Sequence, residues 1–222
     1  MRWKMGAFIK EFPKFDSALR KIKTGLHRRR LGALGADTFI DIDTVIKVPE
    51  KIFIGSECFL AEKVILEART EKDRGIVLGD RVVIRENTIL TATRGTIVLD
   101  DNAWVGPNCL FYGNGGLVIG KKVLIAGHTV IATINHNFDR LDVPIYDQGT
   151  TFEPVTICDG AWVGLNTSIM PGVTIGEGAV VGAGSVVTKN IPPYCIAVGN
   201  PARVVKKREG KTERPSLRVM EE

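Results

Sequence analysis

The chain predicts an all-β fold, a parallel β-helix wound as a triangular prism, and three observations carry that expectation. From Ile157 through Val163, Ile169, Ile175, Val181 and Val187 a branched aliphatic recurs every sixth residue without a slip. Four positions after each of the first five stands a residue of limited size: Ala161, Thr167, Val173, Ala179 and Ser185. Glycine follows the aliphatic at Gly164, Gly176 and Gly182. A helix calls for recurrence near 3.6 and a half-buried strand for recurrence near 2, so a period of six fits neither. It fits a unit of one short strand plus a turn, three of which close one rung.

With small slips at the corners the same phase runs back along the chain. Leu34, Ile40 and Ile46 make a first rung, then Ile54, Leu60 and Leu66, then Leu78, Ile84 and Leu90. Leu99, Val105 and Phe111 follow, then Ile119, Ile125 and Ile131, and the two regular rungs from Ile157 bring the total to about seven. The small position recurs at Thr38, Thr44, Cys58, Val82, Thr88, Ala103, Cys109, Val123 and Thr129. The aliphatic fills a narrow interior, the fifth position admits only a small side chain, and glycine permits a tight corner. Rungs stacked at about 4.8 Å give a rod roughly 30 Å long. Such an array buries its core only against its neighbours and needs caps at both ends. The expected organisation is a basic N-terminal arm or cap over 1–33, the β-helix over 34–191 with a loop at 132–156, and a C-terminal cap and tail over 192–222.

Charge is distributed unevenly. The net charge is +5, yet the residues before Leu31 sum to +8 and the remainder to −3. Ala18, Leu19, Ile22 and Leu26 fall at helical spacing among Arg20, Lys21, Lys23, Arg28, Arg29 and Arg30. That pattern reads as a capping helix with a solvated basic face, and it also suits peripheral contact with an anionic membrane. Nucleic acid is not an expected partner, because from Arg20 to Arg30 no aromatic residues interleave the basic ones as a stacking platform. No apolar run approaches the roughly 18 residues of a membrane span, and Met1-Arg2-Trp3-Lys4-Met5 lacks the apolar stretch of a signal peptide, so a cytoplasmic location is expected. Cys58, Cys109, Cys158 and Cys195 show neither paired nor metal-type spacing and read as reduced thiols.

Regularity breaks once on a large scale. Ile131 and Ile157 are 26 residues apart where the stack needs six, so about 20 residues, roughly 136 to 155, leave the prism. Long loops on rigid scaffolds often carry function. His136, between Asn135 and Asn137, stands where the rung gives way to this loop; His27 lies in the basic arm and His128 at a corner. The smaller excursion Arg69 to Gly75 is charged and reads as a solvated bulge.

The stretches TINHNFDRLDVPI (Thr133 to Ile145), ICDGAWVGLNTSIMPGVTIGEGAVVGAGSVVTKNIPP (Ile157 to Pro193) and VGNPARVVKK (Val198 to Lys207) resemble the hexapeptide-repeat acyltransferases. Within them the chain is most similar to the maltose, galactoside and surface-polysaccharide O-acetyltransferases. The resemblance implies a left-handed β-helix that assembles as a homotrimer, with acetyl-CoA as donor in the groove between adjacent prisms and no metal. It implies His136 as general base, taking the proton of an acceptor hydroxyl as that oxygen attacks the thioester carbonyl. The backbone N–H of Leu165 would stabilise the tetrahedral oxyanion, with Gly164 keeping the approach open. Trp162 would line the acyl and pantetheine channel or stand outward at a subunit interface. Ala183, Thr188 and Lys189 match positions that contact the pantetheine arm or the nucleotide. Arg203, with Lys206 and Lys207 behind it, would face CoA phosphates.

For the acceptor, Asn108 or Asn114 could hold a sugar on an earlier rung, with Asn135 beside the histidine, and Asp139 or Glu153 could orient the His136 ring. In place of the N-terminal helical segment of the maltose and galactoside enzymes the chain carries its basic arm. That favours the surface-polysaccharide branch and a glycan or glycolipid acceptor. Serine, an antibiotic alcohol or a nucleotide-sugar amine are variants of the same chemistry, and a non-catalytic scaffold is the alternative. Metal hydratases of carbonic-anhydrase type share the repeat but need three imidazoles around zinc. His128 and His136 are eight apart and His27 lies outside the prism, so that chemistry is not expected.

Overall fold

The computed structural model describes residues 24–210. Each six-residue unit contributes a strand of two or three residues, too short to persist alone, and its hydrogen bonds go to the rungs above and below. The result is a parallel β-solenoid with three faces. The first face runs from Ala33–Leu34 to Thr174–Ile175 in seven strands. The second runs from Phe39–Ile40 through Val180–Val181 to Cys195–Val198 and Arg203–Lys207, nine strands in all. The third runs from Val45–Lys47 to Val186–Val187 in seven.

Register confirms the phase residue by residue. Leu34, Ile54, Leu78, Leu99, Ile119, Ile157 and Ile175 pair in line on the first face. Leu66, Leu90, Phe111, Ile131, Ile169 and Val187 do so on the third. These side chains fill the prism and are buried, except Leu34 and Ile46 of the first rung, which have no rung beneath them. Seven full rungs are followed by the start of an eighth, where Ile191 bridges to Ile175 and Cys195–Val198 pairs in parallel with Val180–Val181. The period of six dissolves at Pro192-Pro193, which is why counting aliphatics stops one turn short.

The small fifth position is buried at every rung, and at Thr38, Thr44 and Thr88 its hydroxyl also ties one rung to the next. Thr88 Oγ1 donates to the Gly106 carbonyl at 2.9 Å and accepts from the Cys109 N–H at 3.2 Å. Valine occupies the same column one rung below at the buried Val64, so Thr88→Val fits sterically and removes only the two hydrogen bonds. We expect it to cost about 1–3 kcal/mol in urea unfolding, the cost of leaving buried polar groups unpaired.

Of the basic segment before the first strand, residues 24–28 are helical. The remainder of the N-terminal arm, and with it the region expected to meet a membrane, lies outside the described residues, as does the tail beyond 210. No helix of the described residues is long and apolar enough to cross a membrane.

The 132–156 insertion is an ordered arm rather than an irregular loop. Ile134–His136 pairs antiparallel with Thr150–Phe152, and a 3₁₀ turn at Ile145–Gln148 closes the tip. The Asn137 side chain donates to the Gln148 carbonyl at 3.0 Å and accepts from Thr151 Oγ1 at 2.6 Å. Gln148 in turn donates to the carbonyls of Arg140 and Val143. Period-based reading could not see this hairpin, because its stabilisation comes from side chain to backbone bonds with no repeat.

Candidate active site

The three corners of the prism differ in how they treat the backbone N–H that follows each strand. At the corner between the first and second faces an aspartate from the next rung accepts it. Ser56 N donates to Asp80 Oδ1 at 2.8 Å, Asp80 N to Asp101 Oδ1 at 3.0 Å and Lys121 N to Asp159 Oδ1 at 2.8 Å. At the corner between the second and third faces Pro107, Gly127, Leu165 and Ala183 stack in register. Glu62 and Glu86 continue this column below Pro107, but none of these four positions carries a carboxylate, and among the described residues the Leu165 N–H donates to nothing. Leu165 is 56% exposed and the neighbouring outward Trp162 is 52% exposed, so both residues stand on the outside of the prism. An uncapped, pre-positioned donor of this kind can stabilise a developing oxyanion.

Gly164 is required here by close packing. A Cβ on it would lie 2.6 Å from Ala183 N and 2.9 Å from the Gly182 carbonyl carbon and the Val181 oxygen, so the next rung itself excludes a side chain. The approach role expected of Gly164 thus sits beside a packing role. The residue after each column member is in the left-handed region, with φ of 56° at Asn108, 60° at His128 and 54° at Asn166. Asparagine tolerates that backbone, which gives Asn108 a conformational reason to be there apart from any sugar. His128 occupies the same column, exposed, one rung below Asn166, whose N–H donates to the Gly127 carbonyl at 3.0 Å. Its nearness to Leu165 depends on lateral stacking across a 38-residue sequence gap and is invisible to spacing within one rung.

The second group of candidates gathers at the corner between the third and first faces, where the arm leaves. Asn135 pairs with Thr151 and His136 with Thr150 through the backbone, and both side chains are exposed. The base of the arm is held by Glu153 N donating to the Thr133 carbonyl at 3.1 Å and by the Arg94 guanidinium 4.7 Å over the Phe152 ring. Neither Asp139 nor Glu153 hydrogen-bonds the His136 ring; the Glu153 carboxylate lies against Gly172. Asn114 Oδ1 is engaged by the Thr93 hydroxyl at 2.8 Å, which leaves its amide N–H₂ for a ligand. Thr188 and Lys189 stand exposed at this same corner two rungs higher. Arg203 belongs with the first group, on the second face, where it pairs with Val198 and its guanidinium donates to the Ala202 carbonyl at 2.8 Å.

The structure therefore places Trp162, Gly164, Leu165, Ala183 and Arg203 along the second face and its corner with the third, and Asn114, Asn135, His136, Thr188 and Lys189 at successive rungs of the corner between the third and first faces. Between the groups lies the third face, six residues wide from Gly127 to Thr133, or roughly 20 Å at about 3.3 Å per residue. The thiols offer no alternative nucleophile inside the prism. Burial pushes the Cys109 thiol up to about 11 and raises that of Cys58, so both stay protonated at neutral pH.

Residues 154–189 match the family model described as bacterial transferase hexapeptide, six repeats. Over 142 residues the chain is 37% identical to a probable acetyltransferase of Mycobacterium tuberculosis, covering 64% of this chain and 45% of that protein. The chain spans about half the length of the curated relatives it matches. Among solved structures, an N-acyltransferase from Bacillus cereus in complex with dTDP and coenzyme A superposes with a TM-score of 0.60 at 20% identity, over 84% of this chain and 90% of that one, a likeness of fold. A maltose O-acetyltransferase from Clostridium difficile superposes with a TM-score of 0.50 at 25% identity, over 93% of this chain and 83% of that one.

Proposed function

This chain is a hexapeptide-repeat protein of the bacterial transferase type, and from that premise we propose that it is an acetyl-CoA-dependent O-acetyltransferase acting on a hydroxyl of a sugar or surface glycan. One observation carries the reading: the solenoid's largest departure from its repeat is a braced arm that presents an exposed imidazole, while the open corner of the stack presents an uncapped N–H. The His136 imidazole takes the acceptor's proton, the acceptor oxygen attacks the thioester carbonyl, and the Leu165 N–H receives the oxyanion. Collapse of that intermediate expels CoA thiolate, and the proton on His136 returns to it. Trp162 flanks the acyl chain, Ala183, Thr188 and Lys189 line the pantetheine and nucleotide path, and Arg203 meets phosphate.

The arm of one copy serves the corner of another. Within a single prism the two groups are separated by the width of the third face, so a complete site is formed only when an adjoining copy, a homotrimer in this reading, supplies the second half. The arm tip carries Phe138, Leu141, Ile145 and Tyr146, all more than half exposed, as a surface for that contact.

Leu165→Pro tests both parts. Proline stands natively at the equivalent position, Pro107, two rungs below in register, so the substitution removes an N–H without a new backbone demand. We expect about a 10²- to 10³-fold loss of acetyl transfer with normal folding. Co-assembled with a His136→Ala chain, it should recover part of the activity, because mixed assemblies contain sites with one intact arm and one intact corner. Equal inactivity of the mixture and of its two components would place both groups in one chain and end the shared-site reading.

A further inference from the structure

Six arginines lie between residues 69 and 140, and four of them are matched by carboxylates: Arg69 by Glu67, Arg81 by Glu57, Arg85 by Glu86 and Arg140 by Asp142. Arg74 and Arg94 are not. Each stands over an aromatic ring at 4.7 Å, Arg74 on Phe53 of the first face and Arg94 on Phe152 of the arm. Among the described residues the Arg94 guanidinium has no other partner. Alternation within the arm fixes the side it takes. Ile134 pairs with Phe152 and His136 with Thr150, and directly opposed residues of a hairpin project to one side, so Phe152 and His136 share a side of the arm. Thr151 and Asn137, which hydrogen-bond each other, take the opposite side. Phe152 is two residues along the strand from Thr150, about 7 Å, which puts the Arg94 guanidinium on the order of 10 Å from the imidazole.

Arg94 belongs to the turn two rungs below the arm and reaches Phe152 past the intervening turn, Gly113-Asn114-Gly115-Gly116. The three layers are in close contact. A Cβ on Gly95 would lie 2.5 Å from the Gly113 oxygen, and one on Gly115 would lie 2.5 Å from the Thr133 oxygen at the base of the arm. Asn114 is thus the only side chain beyond Cα in the turn between Arg94 and the arm. The Thr93 hydroxyl holds its Oδ1 at 2.8 Å, and its Nδ2 donates to none of the described residues. Building on the acetyl-transfer reading, we infer that Arg94 and the Asn114 amide hold an anionic oxygen group, a carboxylate or a phosphate, on the sugar whose hydroxyl meets His136. A guanidinium offers paired donors to two oxygens, and the amide adds a donor from the next turn up. No carboxylate competes for that guanidinium: Glu153 lies against Gly172, and Glu71 and Asp73 in the turn beneath make no ion pair with it. The acceptor class is therefore an acidic sugar, a uronic acid or a sugar phosphate, bound below the arm.

Binding is measured on the full chain without acetyl-CoA, so that no transfer is required. The probes are glucose and galactose as neutral sugars, glucuronate and galacturonate as carboxylates, and glucose 1-phosphate and glucose 6-phosphate as phosphates. One anionic pair should bind about 10- to 10²-fold more tightly than the neutral pair, the range of a charge-assisted hydrogen bond, and which pair does so separates the two anions. Arg94→Gln should bring that affinity down to the neutral level, and Arg94→Lys should keep part of the preference. Arg74→Gln, which removes the other ring-stacked arginine, should leave it intact. Equal affinity for neutral and anionic probes, or no binding of any anion, overturns the inference. So does an equal loss in the Arg74 variant, which would reduce the effect to general surface charge. Anion binding unchanged in Arg94→Gln, with slower transfer to every acceptor, would make Arg94 a brace of the arm only. Anions bound through Arg94 but never acetylated would leave the acidic-sugar site standing and end the acetyl-transfer reading; acetylation of neutral glycans with no preference for charge would do the reverse.

Discussion

His136→Ala is expected to reduce acetyl transfer by about 10²- to 10⁴-fold while CoA binding is unchanged, the range a positioned general base contributes. The substitution is well isolated. His136 holds its place through backbone pairing with Thr150, and its exposed side chain makes no hydrogen bond to the described residues, so alanine keeps the strand and removes only the imidazole. Bracing of the arm rests on Asn137, Gln148 and Thr151, whose hydrogen bonds do not involve the ring. Thiol release in the presence of a glycan acceptor measures the rate, and calorimetric titration measures CoA binding. A variant that binds CoA and transfers acetyl at the native rate removes His136 from the chemistry; one that loses CoA binding makes it a donor-site residue.

Phe111→Ala is expected to cost about 3–5 kcal/mol, the largest single effect on stability available in the prism. Phe111 is fully buried at the middle of the stack, paired in register between Leu90 and Ile131. Each rung contacts only its neighbours, so a cavity at the fourth rung weakens the interface that couples the lower rungs to those bearing the candidate site. The urea midpoint should fall, and the transition should broaden as the two halves lose coupling. A loss under about 1 kcal/mol would mean that the rungs collapse around the gap and that packing there is not the coupling element.

The difference between these two positions explains what could be read in advance. Phe111 belongs to a column in which every member meets the same environment, so the repeat predicts its burial, its neighbours and its rung directly. The same holds for Thr88, whereas the Leu165 N–H was marked by the resemblance and not by the repeat. His136 was visible only as a chemical group beside a break in that repeat. Its hairpin, its brace through Asn137 and Gln148, and its separation from Leu165 by a full face arise from contacts that recur nowhere else in the chain.

By itself the sequence determined the triangular stack, its seven full rungs and the residues facing inward. A parallel solenoid maps each residue onto the one in the rung below it, so a local period becomes a three-dimensional address. Only the tertiary structure decided that the insertion is a braced arm, that an eighth turn begins at Ile191, and that His128 stands in the rung directly below Leu165 at the same corner. Each of these depends on which chain segments meet across many residues of sequence, and periodicity carries no record of such meetings.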